Sequence, residues 1–223
     1  TIRRAARLHP DSAILVCGCL AQREAESIAR MDNVRLVLGV QRRAEAVELL
    51  ERALAESTTI NAVAPLRGAG FEKLFVSRHE GKTRATMKIQ EGCDRYCAYC
   101  IIPTVRGPVR SMPLNDMKAE AKRLADSGYR EIVLTGIEIA GWGQDQPGKP
   151  ELALLVEEIC KAVPDLRIRL GSLEPRVVTE DFCRRLSVFP NLCPQFHLSM
   201  QSGSDTVLSR MKRKYDTARY YQS

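Results

Sequence analysis

The sequence predicts an α/β protein in two blocks, and three observations predict it. Short β-branched or leucine-rich runs alternate with amphipathic stretches, the pattern of parallel-sheet units. A polar stretch containing Pro and Gly, residues 57–70, has no sustained period and separates the blocks. After it, four β/α units follow in series without internal repeats, which suggests part of a barrel or open sheet. The boundaries implied are 1–56 for the first domain, 57–80 for a linker and 81–223 for the second domain.

The elements follow in order. The first block reads as a strand at 13–16, a helix at 21–30, a strand at 34–38 and a helix at 44–55. The second opens with a strand at 84–90 and a cysteine loop, after which Met117, Ala121, Leu124 and Ala125 mark a helix closed by Gly128. A strand at 131–135 leads into a glycine-containing loop at 136–148. Next come a helix with Leu152, Leu155, Val156, Ile159, Cys160 and Val163 on one stripe, a strand at 166–170, a helix at 180–186 and a strand at 195–200.

Strand parity bears on function. Leu166, Ile168 and Leu170 fall on one face and Arg167 and Arg169 on the other, and Phe196, Leu198 and Met200 separate likewise from His197, Ser199 and Gln201. Turned inward, the polar face would line a lumen for a polar ligand, with Arg167, Arg169, His197 and Gln201 in it. The same parity suits edge strands that show their polar face to water, and both readings stand.

Bulk properties narrow the class. At 223 residues and 44% hydrophobic content, the chain can bury one large core or two modest ones. A net charge of +7 favours a polyanionic partner as readily as it serves solubility. No apolar run approaches a bilayer span, and the charged opening lacks a signal peptide's apolar core. The expected location is cytoplasmic, away from membranes, where eight unevenly spaced cysteines do not form a disulfide framework.

The cysteines divide by context. Cys160 and Cys183 sit in apolar helical patterns and read as buried thiols. Cys17 and Cys19 form a C-x-C pair that could ligate metal, although Cys17 also suits a buried strand position. Cys93, Cys97 and Cys100 give C-x3-C-x2-C directly after a predicted strand. Three thiolates on a four-iron cubane leave one iron open to an exogenous ligand. Zinc is the rival, since a fourth ligand such as His79 would complete a structural site. Arg95, Arg106 and Arg110 surround this loop, placed to contact phosphates or simply solvated. The run 210–214 reads as a solvated helix end.

The loop, with an aromatic residue before its last cysteine, resembles the radical S-adenosylmethionine motif in its methylthiotransferase version. Residues 88–111, KIQEGCDRYCAYCIIPTVRGPVRS, resemble the branch acting on N6-threonylcarbamoyladenosine at position 37 of tRNA. EIVLTGIEIAGWG (131–143), RIRLGSLEP (167–175) and HLSMQSGSD (197–205) resemble later blocks of the same barrel, and GCLAQ (18–22) resembles a segment of the family's first domain. The fold implied is a partial N-terminal α/β methylthiotransferase domain followed by a partial (β/α) radical SAM barrel.

The resemblance also implies a site. Cys93, Cys97 and Cys100 would hold a 4Fe-4S cluster whose open iron takes S-adenosylmethionine, the source of a 5'-deoxyadenosyl radical. Tyr99 would lie near the adenine, Thr135 and Gly136 near the methionine end, and Glu174, Arg169 and Gln201 around the ribose and carboxylate. Cys19 would be one ligand of a second, auxiliary 4Fe-4S cluster, where a sulfur is methylated and delivered; its other ligands would precede Thr1. The barrel's last strands and an RNA-binding β-domain are expected beyond the other end.

The implied partners are the anticodon stem-loop of tRNA and a reducing system. Sister activities, on a ribosomal-protein aspartate or on isopentenyladenosine in tRNA, share the cluster chemistry, and a zinc-stabilised RNA-binding module is the reading from another class. Mild departures are Trp142, where tyrosine is common, and Gly171, where serine is common.

Overall fold

The computed structural model describes residues 1–74 and 81–223, in two compact units. His79, the candidate fourth zinc ligand, lies outside the described residues, as does the end of the expected linker. No helix among the described residues is long and apolar enough to cross a membrane.

Unit 1 comprises Thr1–Leu74 and Thr104–Gly107. It contains α1 (Ile2–Leu8), β1 (Ile14–Cys17), α2 (Cys19–Ala29), β2 (Val34–Leu38), α3 (Ala46–Ala55) and β3 (Ile60–Asn61). The three strands form a parallel sheet in the order β1-β2-β3. The central strand is apolar on both faces because helices cover both. Val37 packs with Ala21 and Ile28 of α2, whereas Leu36 and Leu38 pack with Leu49 of α3 and Ala62.

The polar stretch after α3 is not a linker throughout, because β3 joins the sheet and residues 62–64 are tied to it. Gln22 donates from Nε2 to Ala64 O (3.0 Å) and accepts at Oε1 from Val40 N (3.1 Å). Gly39 makes room for that amide, since a Cβ there would stand 1.9 Å from Gln22 Oε1. Glu72 accepts from Arg43 N and Nε (2.5 and 2.8 Å), extending the unit beyond the expected boundary. Cys17 is exposed rather than buried, because it ends an edge strand.

Unit 2 contains residues 81–103 and 108–223 among those described. Its elements are β4 (Arg84–Glu91), β5 (Arg110–Ser111), α5 (Leu114–Asp126), β6 (Glu131–Gly136), α6 (Leu152–Ala162), β7 (Arg167–Leu170), α7 (Glu180–Leu186), α8 (Asp205–Arg210) and α9 (Thr217–Gln222). The short α4 (Ile102–Val105) spans the change from one unit to the other. The sheet order is β5-β4-β6-β7, with β4, β6 and β7 parallel and β5 antiparallel.

One face of this sheet is core. Ala85, Met87, Ile89, Ile132, Leu134, Ile168 and Leu170 are all buried, as are Met117 and Leu124 of α5 and Leu155, Val156, Ile159 and Cys160 of α6. Burial pushes the Cys160 thiol up to about 11. Cys183 differs from its expected burial: Phe182 and Leu186 occupy the inward stripe of α7, and Cys183 falls one position off it, exposed.

The opposite face is polar along β4, β6 and β7, and Glu131 gathers its arginines. Arg169 Nε donates to it at 2.9 Å, with Arg167 Nε at 3.3 Å and Arg84 Nη1 at 3.5 Å. The expected strand at 195–200 is reduced to a single bridge, Leu173 with Leu198, and a further bridge joins Ile168 to Leu192 before it. Leu173 N donates to His197 O and Ser199 N to Leu173 O, but Pro175, two residues on, has no N–H to extend a ladder and starts a 3-10 turn.

Candidate iron-sulfur and nucleoside cofactor site

The cysteine loop leaves the C-terminal end of β4, the edge where α/β sheets place their ligand sites. Gln90 fixes its exit. Fully buried, this side chain donates from Nε2 to Glu91 O (2.9 Å) and Gly92 O (2.7 Å) and accepts at Oε1 from Glu138 N (2.9 Å). It thereby joins the loop's start to the turn after β6. Gly136 is required beside it, because a Cβ would meet Gln90 O at 2.8 Å and Gln90 Oε1 at 2.9 Å. The β4–β6 register slips between Lys88 and Gln90, so the strand bends as it enters the loop.

The loop itself is irregular and turns at left-handed positions, Gly92 (φ 74°) and Tyr96 (φ 50°). Cys93 is buried, and Cys97 and Cys100 are half-buried. Cys100 N donates to Cys97 O at 3.0 Å, closing the last turn. Burial pushes the Cys93 thiol above its ordinary range, opposed by the backbone N–H of Arg95 and reinforced by the nearby Glu138 carboxylate. Glu138 is itself raised, first by burial and opposed by the Arg95 guanidinium, which donates to its Oε2 at 3.2 Å. Its Oε1 is buried with no hydrogen-bond partner among the described residues.

The wall past the loop is built from several elements. Tyr99 OH donates to Gln201 Oε1 at 3.3 Å, and Gln201 holds a left-handed conformation (φ 65°). Glu174 is buried at the end of the β7 segment and accepts from Arg176 Nε at 2.7 Å. Trp142, fully buried, donates from Nε1 to Met112 O at 2.9 Å, and Gly143 N donates to Ser111 Oγ at 2.8 Å, so the GWG segment docks behind β5. At Gly171 a Cβ would stand 3.0 Å from Leu134 O, which leaves little room for the serine expected there.

The structure therefore brings Cys93, Cys97, Cys100, Tyr99, Thr135, Gly136, Glu174 and Gln201 to one edge of one sheet. It does not bring Arg169 there: its guanidinium bonds Glu131 at the strands' other end and Gln195 (2.5 Å). Cys19 belongs to unit 1, where Arg106 Nε, from the segment counted with that unit, donates to its Sγ at 3.0 Å. Arg95 and Arg110 are not free for phosphates, since Arg95 serves Glu138 and Arg110 is 3% exposed, 3.8 Å from Glu91. The sequence gives no sign of the roles of Gln90, Glu138 and Tyr215, and Arg213, in the run expected to be a solvated helix end, is half-buried. A glutamine continuing an alternating strand, or an arginine inside a KRK run, carries no local mark of burial.

The donor set, three cysteines on one loop, fits an iron-sulfur cluster. Among the described residues no three His, Cys, Asp or Glu side chains are arranged to hold one metal ion. A cubane binds each thiolate through a separate iron, and three cysteines on one loop supply three such ligands. Beside these thiols stands an orphaned carboxylate oxygen, a ready acceptor for a cationic ligand group. Fold and site thus define an α/β protein with a three-cysteine loop, the donor set of an iron-sulfur site, at the C-terminal edge of its sheet.

Comparison with known proteins carries the class further. A family profile of the Radical SAM superfamily matches residues 87–223, and the chain belongs to that superfamily. Membership implies a 4Fe-4S cluster and S-adenosylmethionine as cofactors. The chain is 39% identical over 215 residues to a threonylcarbamoyladenosine tRNA methylthiotransferase of Bacillus subtilis, covering 96% of this chain and 48% of that one. It is 37% identical over 221 residues to a tRNA-2-methylthio-N(6)-dimethylallyladenosine synthase of Symbiobacterium thermophilum, with 95% and 47% covered.

The chain spans about half the length of the curated relatives it matches. Among solved structures, the radical S-adenosylmethionine methyltransferase TsrM of Kitasatospora setae superposes with a TM-score of 0.50 at 18% identity, over 62% of this chain and 27% of that one. That likeness concerns the fold.

Proposed function

We propose that this chain is the catalytic core of a tRNA methylthiotransferase acting on N6-threonylcarbamoyladenosine at position 37. One observation carries the reading: Cys93, Cys97 and Cys100 share one loop at the C-terminal edge of β4, in a chain similar along nearly all its length to tRNA methylthiotransferases. In this reading Cys93, Cys97 and Cys100 would hold the cluster, with S-adenosylmethionine as the exogenous ligand it would bind. When bound, the cluster supplies the electron that splits the sulfonium and so generates a radical able to take hydrogen from an unactivated C–H bond.

The chain's own residues bind and orient. The unpartnered Oε1 of Glu138 accepts the methionine ammonium, and Gly136 keeps the turn after β6 open for that end of the ligand. Tyr99, 56% exposed, offers its ring to the adenine with Gln201 steadying its hydroxyl. Glu174, paired with Arg176, would serve the ribose. Gln90 fixes the loop against the β6 turn, so that thiolates and carboxylate hold one spacing. Cys19, whose Sγ accepts from Arg106 Nε, would be one ligand of an auxiliary cluster. The substrate is the anticodon stem-loop, whose charge suits a chain of net charge +7.

A second reading, methylthiolation of dimethylallyladenosine, is favoured by the Symbiobacterium relative. Nucleoside mass spectrometry of tRNA from a strain lacking the gene separates the two. Loss of the 2-methylthio group from threonylcarbamoyladenosine, restored by the wild-type gene, is expected. Loss from dimethylallyladenosine instead would establish the second reading, and unchanged thiomethylation of both would overturn the proposal.

A further inference from the structure

The segment after α8 does not end in solvent. Its residues alternate: Lys212 and Lys214 are exposed, whereas Arg213 is half-buried and Tyr215 buried. Lys212 adopts a left-handed conformation (φ 57°), and Arg213 N donates back to Leu208 O at 2.9 Å. That turn aims Arg213 at the cysteine loop. Arg213 Nη1 donates to Cys97 Sγ at 3.1 Å, and Ala98 N donates to Met211 O at 3.0 Å, so the segment braces the loop through both side chain and backbone.

The guanidinium is held in turn by Tyr215. Arg213 Nε donates to Tyr215 OH at 3.1 Å, the guanidinium carbon lies 5.1 Å from that ring's centroid, and the tyrosine hydroxyl donates to Ser199 O. Arg213 thus has a fixed orientation and a charge that does not titrate in the accessible range. A solvated basic run has no use for such an arrangement.

Building on the cluster reading above, we infer that Arg213 is a positioning residue that raises the reduction potential of the cluster held by Cys97. Reduction adds one electron from an external low-potential one-electron donor; no bond is made or broken and no proton moves. The added charge spreads onto the cysteine sulfurs. A permanent cation donating a hydrogen bond to one of them stabilises the reduced form more than the oxidised one, as hydrogen bonds to sulfur do in iron-sulfur proteins generally. Tyr215 keeps the donor in place.

The test is a potentiometric titration, followed by electron paramagnetic resonance, of the anaerobically reconstituted full-length protein in a Cys19→Ala background, so that one cluster is observed. Iron and sulfide content are measured alongside. Arg213→Met, which keeps length without charge or donor, is expected to retain the cluster while the ratio of reduced to oxidised cluster at fixed potential falls about tenfold, ~59 mV for one electron. Arg213→Lys is expected to shift in the same direction by less. A fully loaded Arg213→Met cluster with unchanged potential would overturn the inference. Should Arg213→Met fail to load, Arg213→Lys decides, an unchanged potential overturning the inference and a negative shift supporting it. Absence of any cluster in the parent protein would sink the cluster reading itself, a result distinct from an unchanged potential.

Discussion

The two sheets make opposite use of their faces. In unit 1 the central strand β2 buries Val37 on one face and Leu36 and Leu38 on the other, each against its own helix. In unit 2 the strands alternate buried apolar residues with Arg84, Thr86, Lys88, Glu131, Thr135, Arg167 and Arg169 on the other face, until β4 buries Gln90 and Glu91 as it enters the cysteine loop. A sheet covered on both sides is spent on stability. One that keeps a polar face can present charge and hydrogen-bonding groups at its C-terminal edge, and the cysteine loop is there.

That comparison can be broken by substitution. Leu36→Ala in β2 and Leu134→Ala in β6 are each expected to cost about 2–5 kcal/mol by denaturant unfolding, since both side chains are buried. A similar cost on the polar face of unit 2 would erase the distinction. At the edge, Gly136→Ala would press a Cβ against Gln90 O and is expected to cost about 1–3 kcal/mol with displacement of the loop, seen as lower iron loading.

Glu138→Gln separates binding from stability. Loss of the carboxylate is expected to weaken S-adenosylmethionine binding about tenfold, ~1.4 kcal/mol, by equilibrium dialysis. The pH effect has a definite sign. Burial, opposed by Arg95, raises this carboxyl, so the folded state binds its proton more tightly than the unfolded chain does. The stability it contributes is present below the ordinary carboxyl range and is lost as pH rises through the raised value. Glu138→Gln should flatten that fall, and a pH profile identical to wild type would contradict the assignment. Smallest of all, Arg84→Gln on the exposed polar face should change stability by no more than about 0.5 kcal/mol.

What the sequence revealed follows from periodicity. Val34–Leu38 and Glu180–Leu186 are found at the expected bounds, because one is a continuous apolar run and the other a capped stripe behind Thr179. The cysteine spacing was legible without structure, whereas roles for Tyr99, Thr135, Gly136, Glu174 and Gln201 came only from the family resemblance. Contacts that depend on distant chain were not. Arg110 is buried against Glu91 through the β4–β5 pairing, and Arg213 reaches Cys97 across 116 positions. The strand expected at 195–200 has the right alternation, but a ladder also needs a partner with free N–H groups, and Pro175 ends it. Cys17 and Cys183 show that an apolar neighbour in sequence does not bury a thiol; face and edge position decide.

The most direct test is iron, sulfide and zinc analysis of the full-length protein after anaerobic reconstitution, with 5'-deoxyadenosine measured after reduction in the presence of S-adenosylmethionine. The account predicts matched iron and sulfide, the nucleoside as a product, and, when Cys93, Cys97 and Cys100 are replaced by alanine together, loss of the nucleoside with lower iron and sulfide, the auxiliary cluster being retained. Tightly bound zinc without sulfide, and no 5'-deoxyadenosine, would contradict it.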